Sequence, residues 1–350
     1  MLGTAAEPLI VMEDKDGRPL FSESALWEEA QAVLAEHELD DGLPMVLPTH
    51  QRLEAMLEGV ADPARSYGMI PPLFGNLTAA AVAYNCVLAG CRPAELPAVL
   101  TAAEACLEPQ LNLLGVLTTT GTPAIATVVH GPLAQDLGMN SGTNMLGPGN
   151  RANATMGRAI ALVMRNIGGA RALVGDMATM GQPGKYTFCF AEGVDALAPS
   201  LAVRRGFNAD ESAVTVLAVS GTVEVLPVDD ADTPETVLTA MAAALTTGGA
   251  LASAGRHREP GEQFFLLPPE LAEKIRNRGW DLARVQDFLF DADCVSMPKV
   301  ADFTRNRPIA RSPEDIHPII TGGAGVKMTY LPLWGGGVLS VTRAIRNLRS

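Results

Sequence analysis

Charge and aromatic rings are both scarce in this chain: charged side chains make up 19% and Phe, Trp and Tyr together 5% of its 350 residues. Basic side chains are the scarcer sign, 26 against 39 acidic, and the net charge of −13 repels phosphate backbones and anionic headgroups. Nucleic acid and membrane are therefore not expected as partners. So few charges on a chain this long also lead us to expect a homo-oligomer, with part of the surface covered by another subunit. The five cysteines are odd in number and form no CxxC pair, which argues against a zinc knuckle or a disulfide framework and for reduced thiols in the cytoplasm. A basic start followed by an apolar stretch is missing at the N-terminus, so no export signal is expected. The long uncharged runs at 66–91 and 109–135 are broken by Pro71, Pro72, Asn76 and Asn85, and by Gly121, Thr122 and Pro123, and read as soluble core rather than membrane spans. HExxH, GxSxG and paired histidines at i, i+4 are absent, and Gly142, Gly147 and Gly149 have the wrong spacing for a dinucleotide loop. Neither a metal nor a cofactor is implied.

Glycine and proline, 34 and 25 residues, punctuate the whole length. After a lead-in over residues 1–40, with a helix from about Ser24 to Glu36, a strand–Pro–helix pattern recurs. It appears at Met45–Leu47 with Pro48 and Thr49, at Ala124–Val129 with Pro132, and at Phe264–Leu267 with Pro268 and Pro269. Val99-Leu100-Thr101-Ala102 returns 138 positions later as Val237-Leu238-Thr239-Ala240, and Leu133-Ala134 as Leu271-Ala272 at the same offset. Duplication and chance similarity in an Ala- and Leu-rich chain are both open readings. The expected fold is α/β, with mostly parallel sheets built from repeated strand–Pro–helix units, two-lobed if internally duplicated. The lobes are an α/β domain at 41–228 carrying an anion-binding loop, and a second at 229–350 as a partial repeat. The acidic stretch 228–234 is the expected linker.

Chemistry concentrates in the middle of the chain. Residues 138–153 hold four glycines and four asparagines and feed a helix starting near Asn150 or Asn153, a pattern that suits an anion at a helix N-terminus. Asn144, Gly147, Gly149, Asn150, Arg151, Asn153 and Arg158 are the candidate substrate contacts; a capped turn leading into a core helix is the competing reading. Beyond it, Pro183-Gly184 makes a turn, Lys185 opens an alternating strand with Tyr186, and Glu192 closes it, so that Lys185 could clamp a substrate carboxylate and Glu192 could orient it. Cys91, between Gly90 and Arg92, has a cation beside its thiol, unlike Cys86 and Cys106 in Ala-rich surroundings. His130 ends a strand just before Gly131-Pro132, at the C-terminal edge where open α/β sheets bind ligands. Gly322–Gly325, ahead of Lys327, offers a further cradle of amides.

GLPMVLPT from residue 42, AGCRPAEL from 89, GPGNRANATMGRA from 147, DMATMGQPGKYTF from 176 and FFLLPPELAEKIRNRGW from 264 resemble an uncharacterised bacterial family. That family is similar to the partners or fused neighbours of proteins carrying a UGSC cysteine or selenocysteine motif. The resemblance implies that Cys91, the Asn/Arg loop and Lys185 share one site working with thiol or selenol chemistry; this chain has His130 where the family pattern has asparagine. The function expected is an enzyme acting on a small carboxylate- or phosphate-bearing molecule between two α/β halves, by a cysteine-assisted hydrolytic or lyase step. Cys91 would be nucleophile, with Lys185 or His130 moving a proton. The alternatives are a thiol or selenol redox partner forming a mixed disulfide through Cys91, and a non-catalytic anion-binding module.

Overall fold

Apolar runs with hardly an exposed residue become the middles of two sheets. The computed structural model describes residues 9–193, 197–227, 232–245, 260–295 and 309–348. The chain opens with a hairpin of β1 (Ile10–Glu13) and β2 (Pro19–Phe21), then α1 (Trp27–Glu36), α2 (His50–Leu57) and a second hairpin of β3 (Ser66–Ile70) and β4 (Gly75–Thr78). Met45–Leu47, expected as a strand, is irregular, although Thr49 does cap α2, its hydroxyl accepting from Arg52 N. There follow α3 (Ala79–Ala89), α4 (Leu96–Ala105), α5 (Leu113–Thr118), β5 (Ala124–His130), α6 (Pro132–Asp136), α7 (Arg151–Asn166), β6 (Cys189–Ala191), α8 (Leu201–Arg204), β7 (Ala213–Val219) and β8 (Val223–Val225). The later part holds α9 (Pro234–Ala244), β9 (Gln263–Leu267), α10 (Pro269–Asn277), α11 (Leu282–Val295), β10 (Ile316–Ile320), β11 (Met328–Leu331) and β12 (Val341–Ala344). Most of the expected linker, at 228–231, lies outside the described residues. No described helix is long and apolar enough to cross a membrane.

The fold is α/β, but its sheets are mixed rather than mostly parallel. The first has the order β12-β7-β5-β6 and the second β10-β9-β11-β8. In each, one pair is parallel, β5 with β6 and β9 with β10, while the other two are antiparallel. Hydrophobic runs mark strands without marking direction. Between β10 and β11 only residues 321–327 intervene, fewer than the dozen or so that a parallel crossover needs, so the chain must reverse.

Alternation along β9 shows the layering. Phe264 and Leu266 join the core of the first sheet, whereas Phe265 and Leu267 join a second core with Leu238, Leu271 and Leu289 from α9, α10 and α11. The first sheet carries α4 and α7 on its other face, so the layers run helices, sheet, sheet, helices. At about 2 kcal/mol for each fully buried large side chain, residues 264–267 alone contribute a sum comparable to the net stability of a domain.

The two sheets match in detail. Glu192 N donates to Val129 O (3.1 Å) beyond β6, and Thr321 N donates to Leu267 O (3.0 Å) beyond β10. Each sheet also takes its last antiparallel strand from the other part of the chain. Past β7 the chain leaves to form β8 beside β11; past β11 it returns to form β12 beside β7. The crossovers pair where they meet: Val219 bridges Leu333, flanked by Ser220 N to Pro332 O (2.8 Å) and Trp334 N to Ala218 O (2.9 Å). A cut between residues 228 and 229 therefore leaves each sheet short of an edge strand. Produced separately, 1–228 and 229–350 should give no cooperative thermal transition by circular dichroism, yet should melt cooperatively once mixed; a cooperative melt of either piece alone contradicts this.

Candidate functional site

A cleft of about 620 Å³ lies between the C-terminal half of α7, the end of α5, the start of β5 and the loop 170–186. Its floor is apolar, from Val116, Leu117, Ile125, Leu162 and Met164, and its polar side chains are Arg165, Arg171, Gln182, Lys185, Tyr186, Asp41 and Asp176. Three cations thus face the cleft on a chain of net charge −13. Gly157 lets α7 approach the strand that leads from the cleft, since a Cβ there would lie 2.4 Å from Thr187 Oγ1. Lys185 does not open a strand as expected; it ends a 3₁₀ turn, Pro183–Lys185, and strand pairing begins only at Cys189. Its Nζ sits 2.5 Å from Asp176 Oδ2, each side chain about a quarter exposed. Arg171 pairs with Glu38, but its buried Nε finds no hydrogen-bond partner among the described residues. Burial lowers the pKa of Arg165, against the raising effect of Asp40, Asp41 and Glu38. The rim is strongly apolar: Leu173 and Met180 are 88% and 87% exposed, with Val174, Met177 and Tyr186 about half exposed.

The Asn/Arg loop lies at the other end of α7 and satisfies itself. Asn150 caps the helix, its side chain accepting from Asn153 N, as the sequence predicts. Asn153, 3% exposed, binds the backbone of Asn140 and Met145; Asn144 Nδ2 donates to Pro148 O; Gly147 N donates to Asn144 O; Gly149 takes a φ of +120°. Arg151 Nη2 lies 2.5 Å from Oε1 of Glu95, a carboxylate side chain only 1% exposed, and Arg158 makes two 2.8 Å bonds to Asp41. Both guanidinium groups expected to meet a substrate thus already hold a carboxylate of the protein. Cys91 does lie beside this loop, close enough to Arg151 to act on it electrostatically. It does not line the cleft, and Arg151 and Arg165 are about 21 Å apart along α7. One shared site for Cys91, the loop and Lys185 is therefore not what the structure assembles. The glycine cradle is likewise engaged from within: Gly325 N donates to Glu270 Oε2 (2.8 Å) and Gly322 N to Ser141 O (2.8 Å).

His130 ends β5 as expected, but it is sealed between the sheets, 1% exposed. Its Nδ1 is 2.7 Å from Glu192 Oε2 and its Nε2 2.7 Å from Thr215 Oγ1. Glu192 thus holds His130 rather than Lys185, and the cleft opens near Ile125, about 17 Å back along β5. From Thr215 the bonds continue through Thr342 and Arg205 to Glu262, which also meets Ser340 and His317. Glu262, Asp315 and His317 bring ligand atoms within 4.8 Å of one another, the one grouping of metal-ligand type among the described residues. Arg205 on Glu262 and Arg311 on Asp315 already supply the positive charge that an ion would bring.

Asp176, Arg165, Arg171 and the Arg205–Glu262–His317 chain escaped sequence reasoning; Asp176 alone carried a signal, lying nine residues before Lys185 in the same motif. Burial pushes the Glu262 carboxyl up, but the hydrogen bond with His317 and the Arg205 charge outweigh it and hold it at about 2. Burial likewise lowers His317 below its ordinary 6.5, against the hydrogen bond and charge of Glu262. Both groups bind fewer protons folded than unfolded, so their stabilisation is complete above pH 6.5. It is lost as pH falls, first through His317 and then through Glu262 between 4.5 and about 2. Glu262→Gln should lower stability by about 3 kcal/mol at neutral pH, and the gap to the native chain should narrow toward pH 2 in urea titrations; a gap independent of pH contradicts the assignment. No family model, curated protein or solved structure matches this chain.

Proposed function

We propose that the chain is an enzyme that takes a small carboxylate- or phosphate-bearing molecule with an apolar body into the cleft under Lys185, where a hydrolytic or lyase step follows with Lys185 or Tyr186 moving the proton. The observation that carries this reading is the contrast between two ion pairs. Freeing Arg151 leaves the buried carboxylate of Glu95 with Arg92 N and Thr155 Oγ1 as donors but without its paired guanidinium, a loss of about 3 kcal/mol. Freeing Lys185 turns Asp176 toward water, and a partly exposed pair of that kind is worth about 1 kcal/mol or less. An incoming anion can displace Asp176 and not Glu95. Arg171 also lines the cleft. Cys91 has no part in this step.

Titration calorimetry with phosphate and with short dicarboxylates at low salt should detect binding that Lys185→Met weakens about tenfold or more. Arg151→Met should lower the melting temperature instead. Affinity unchanged in Lys185→Met sinks the proposal, and binding with no product from any tested ester or hydroxy acid would favour the anion-binding module. A second reading, a redox partner forming a mixed disulfide through Cys91, is favoured by one fact: of the four cysteines described, only Cys91 is not buried.

Two structural extensions belong to the same proposal. The matched hydrogen bonds and sheet orders support an internal duplication, in which α4, β5 and α6 correspond to α9, β9 and α10 and the last strands are exchanged. The apolar rim supports a homo-oligomer with a second copy seated beside the cleft. Light scattering at micromolar concentration should then give a multiple of 36.7 kDa, and a monomer would exclude it.

A further inference from the structure

At the C-terminus of α3 the chain turns through Gly90, whose φ of +84° no side-chain-bearing residue adopts without strain, and folds back over the last helical turn. Cys91 N consequently donates to Cys86 O at 2.8 Å, and the two thiols are close enough to act on each other electrostatically. That backbone bond holds the two residues within the few ångströms that a disulfide spans. Their exposures differ: Cys86 is wholly enclosed, whereas Cys91 is half-buried and can be reached from solvent. Cys189 lies in the same corner, on β6.

We propose that Cys86 and Cys91 are a redox-modification site that closes reversibly to an intramolecular disulfide when a small peroxide reaches Cys91. The inference is independent of the cleft reading, because neither thiol lines that cleft. The Cys91 sulfur attacks the peroxide O–O bond, giving a sulfenic acid and releasing water in the case of hydrogen peroxide. The Cys86 sulfur then attacks the Cys91 sulfur, the S–O bond breaks, and the thiol proton leaves with the oxygen as a second water. Two thiols are oxidised by two electrons and one peroxide is reduced. A small dithiol reverses the change by exchange. Enclosure keeps Cys86 from meeting the oxidant itself, so the peroxide reaches Cys91 first, and the Cys86 thiol gives up its proton as its sulfur bonds to Cys91.

The test uses the full chain, treated with hydrogen peroxide, alkylated under denaturing conditions and read by mass spectrometry after proteolysis. The expected product is a peptide holding residues 86 and 91, lighter by two hydrogens, with both thiols protected from alkylation and restored by a dithiol. In Cys86→Ser, Cys91 should stop at the sulfenic acid and be captured by dimedone. The native chain needs no variant to be informative. Dimedone capture of Cys91 with Cys86 freely alkylated, a link from Cys91 to Cys189, or both thiols still reduced after a free-thiol control has oxidised would each overturn the proposal.

Discussion

Where the two crossovers meet, Val219 faces Leu333, and the bonds Ser220 N to Pro332 O and Trp334 N to Ala218 O carry the chain from one sheet to the other without stranding a buried amide. Backbone groups in such a place must find partners, because no water reaches them. Pairing with the opposite crossover settles that requirement for both chains at once. It also commits each sheet to an edge strand delivered from afar, β12 to the first and β8 to the second. The layered core, and with it the position of α7 over the first sheet, depends on this exchange.

The polar chain from Glu192 through His130, Thr215, Thr342 and Arg205 to Glu262 and His317 lies in the layer between the sheets. Hydrophobic contact alone would tolerate some sliding of one sheet over the other, whereas a chain of bonds at 2.7–3.3 Å between fixed strand positions would not. Its acid–histidine–hydroxyl segment has the spacing of a catalytic triad, yet all three side chains are enclosed. Its work in this fold is registration.

How much of this was legible follows from what each kind of signal encodes. Apolar runs followed by Pro or Gly placed β5 and β9 within a residue or two, and the asparagine preceding α7 announced its cap. Strand direction was not written there, because period-two burial is the same in both senses. Arg151 and Arg158 looked available because their partners, Glu95 and Asp41, lie 56 and 117 residues away. The four asparagines of the loop pointed to a ligand by composition, but short amide side chains readily close on nearby backbone, and here they do. Lys185 was found from its turn. Arg165 and Arg171 reach the cleft through tertiary packing, which no local pattern reports.

The two sheets differ at the ends where their parallel strands begin. The 3₁₀ turn Pro183–Lys185 before β6 has a counterpart in Pro313–Asp315 before β10. In the first sheet the turn ends in a lysine beside Ala124 and Ile125, small or apolar residues that leave room at the start of β5. In the second, the turn ends in Asp315, held by Arg311 at 2.6 Å, and the approach to β9 carries Glu262 bound to Arg205 and His317. The Glu262 carboxylate, matched and nearly buried, has no reason to exchange its partners for a solute. The first sheet keeps a partly exposed lysine–aspartate pair over an apolar floor, and separating such a pair costs far less than separating a buried one.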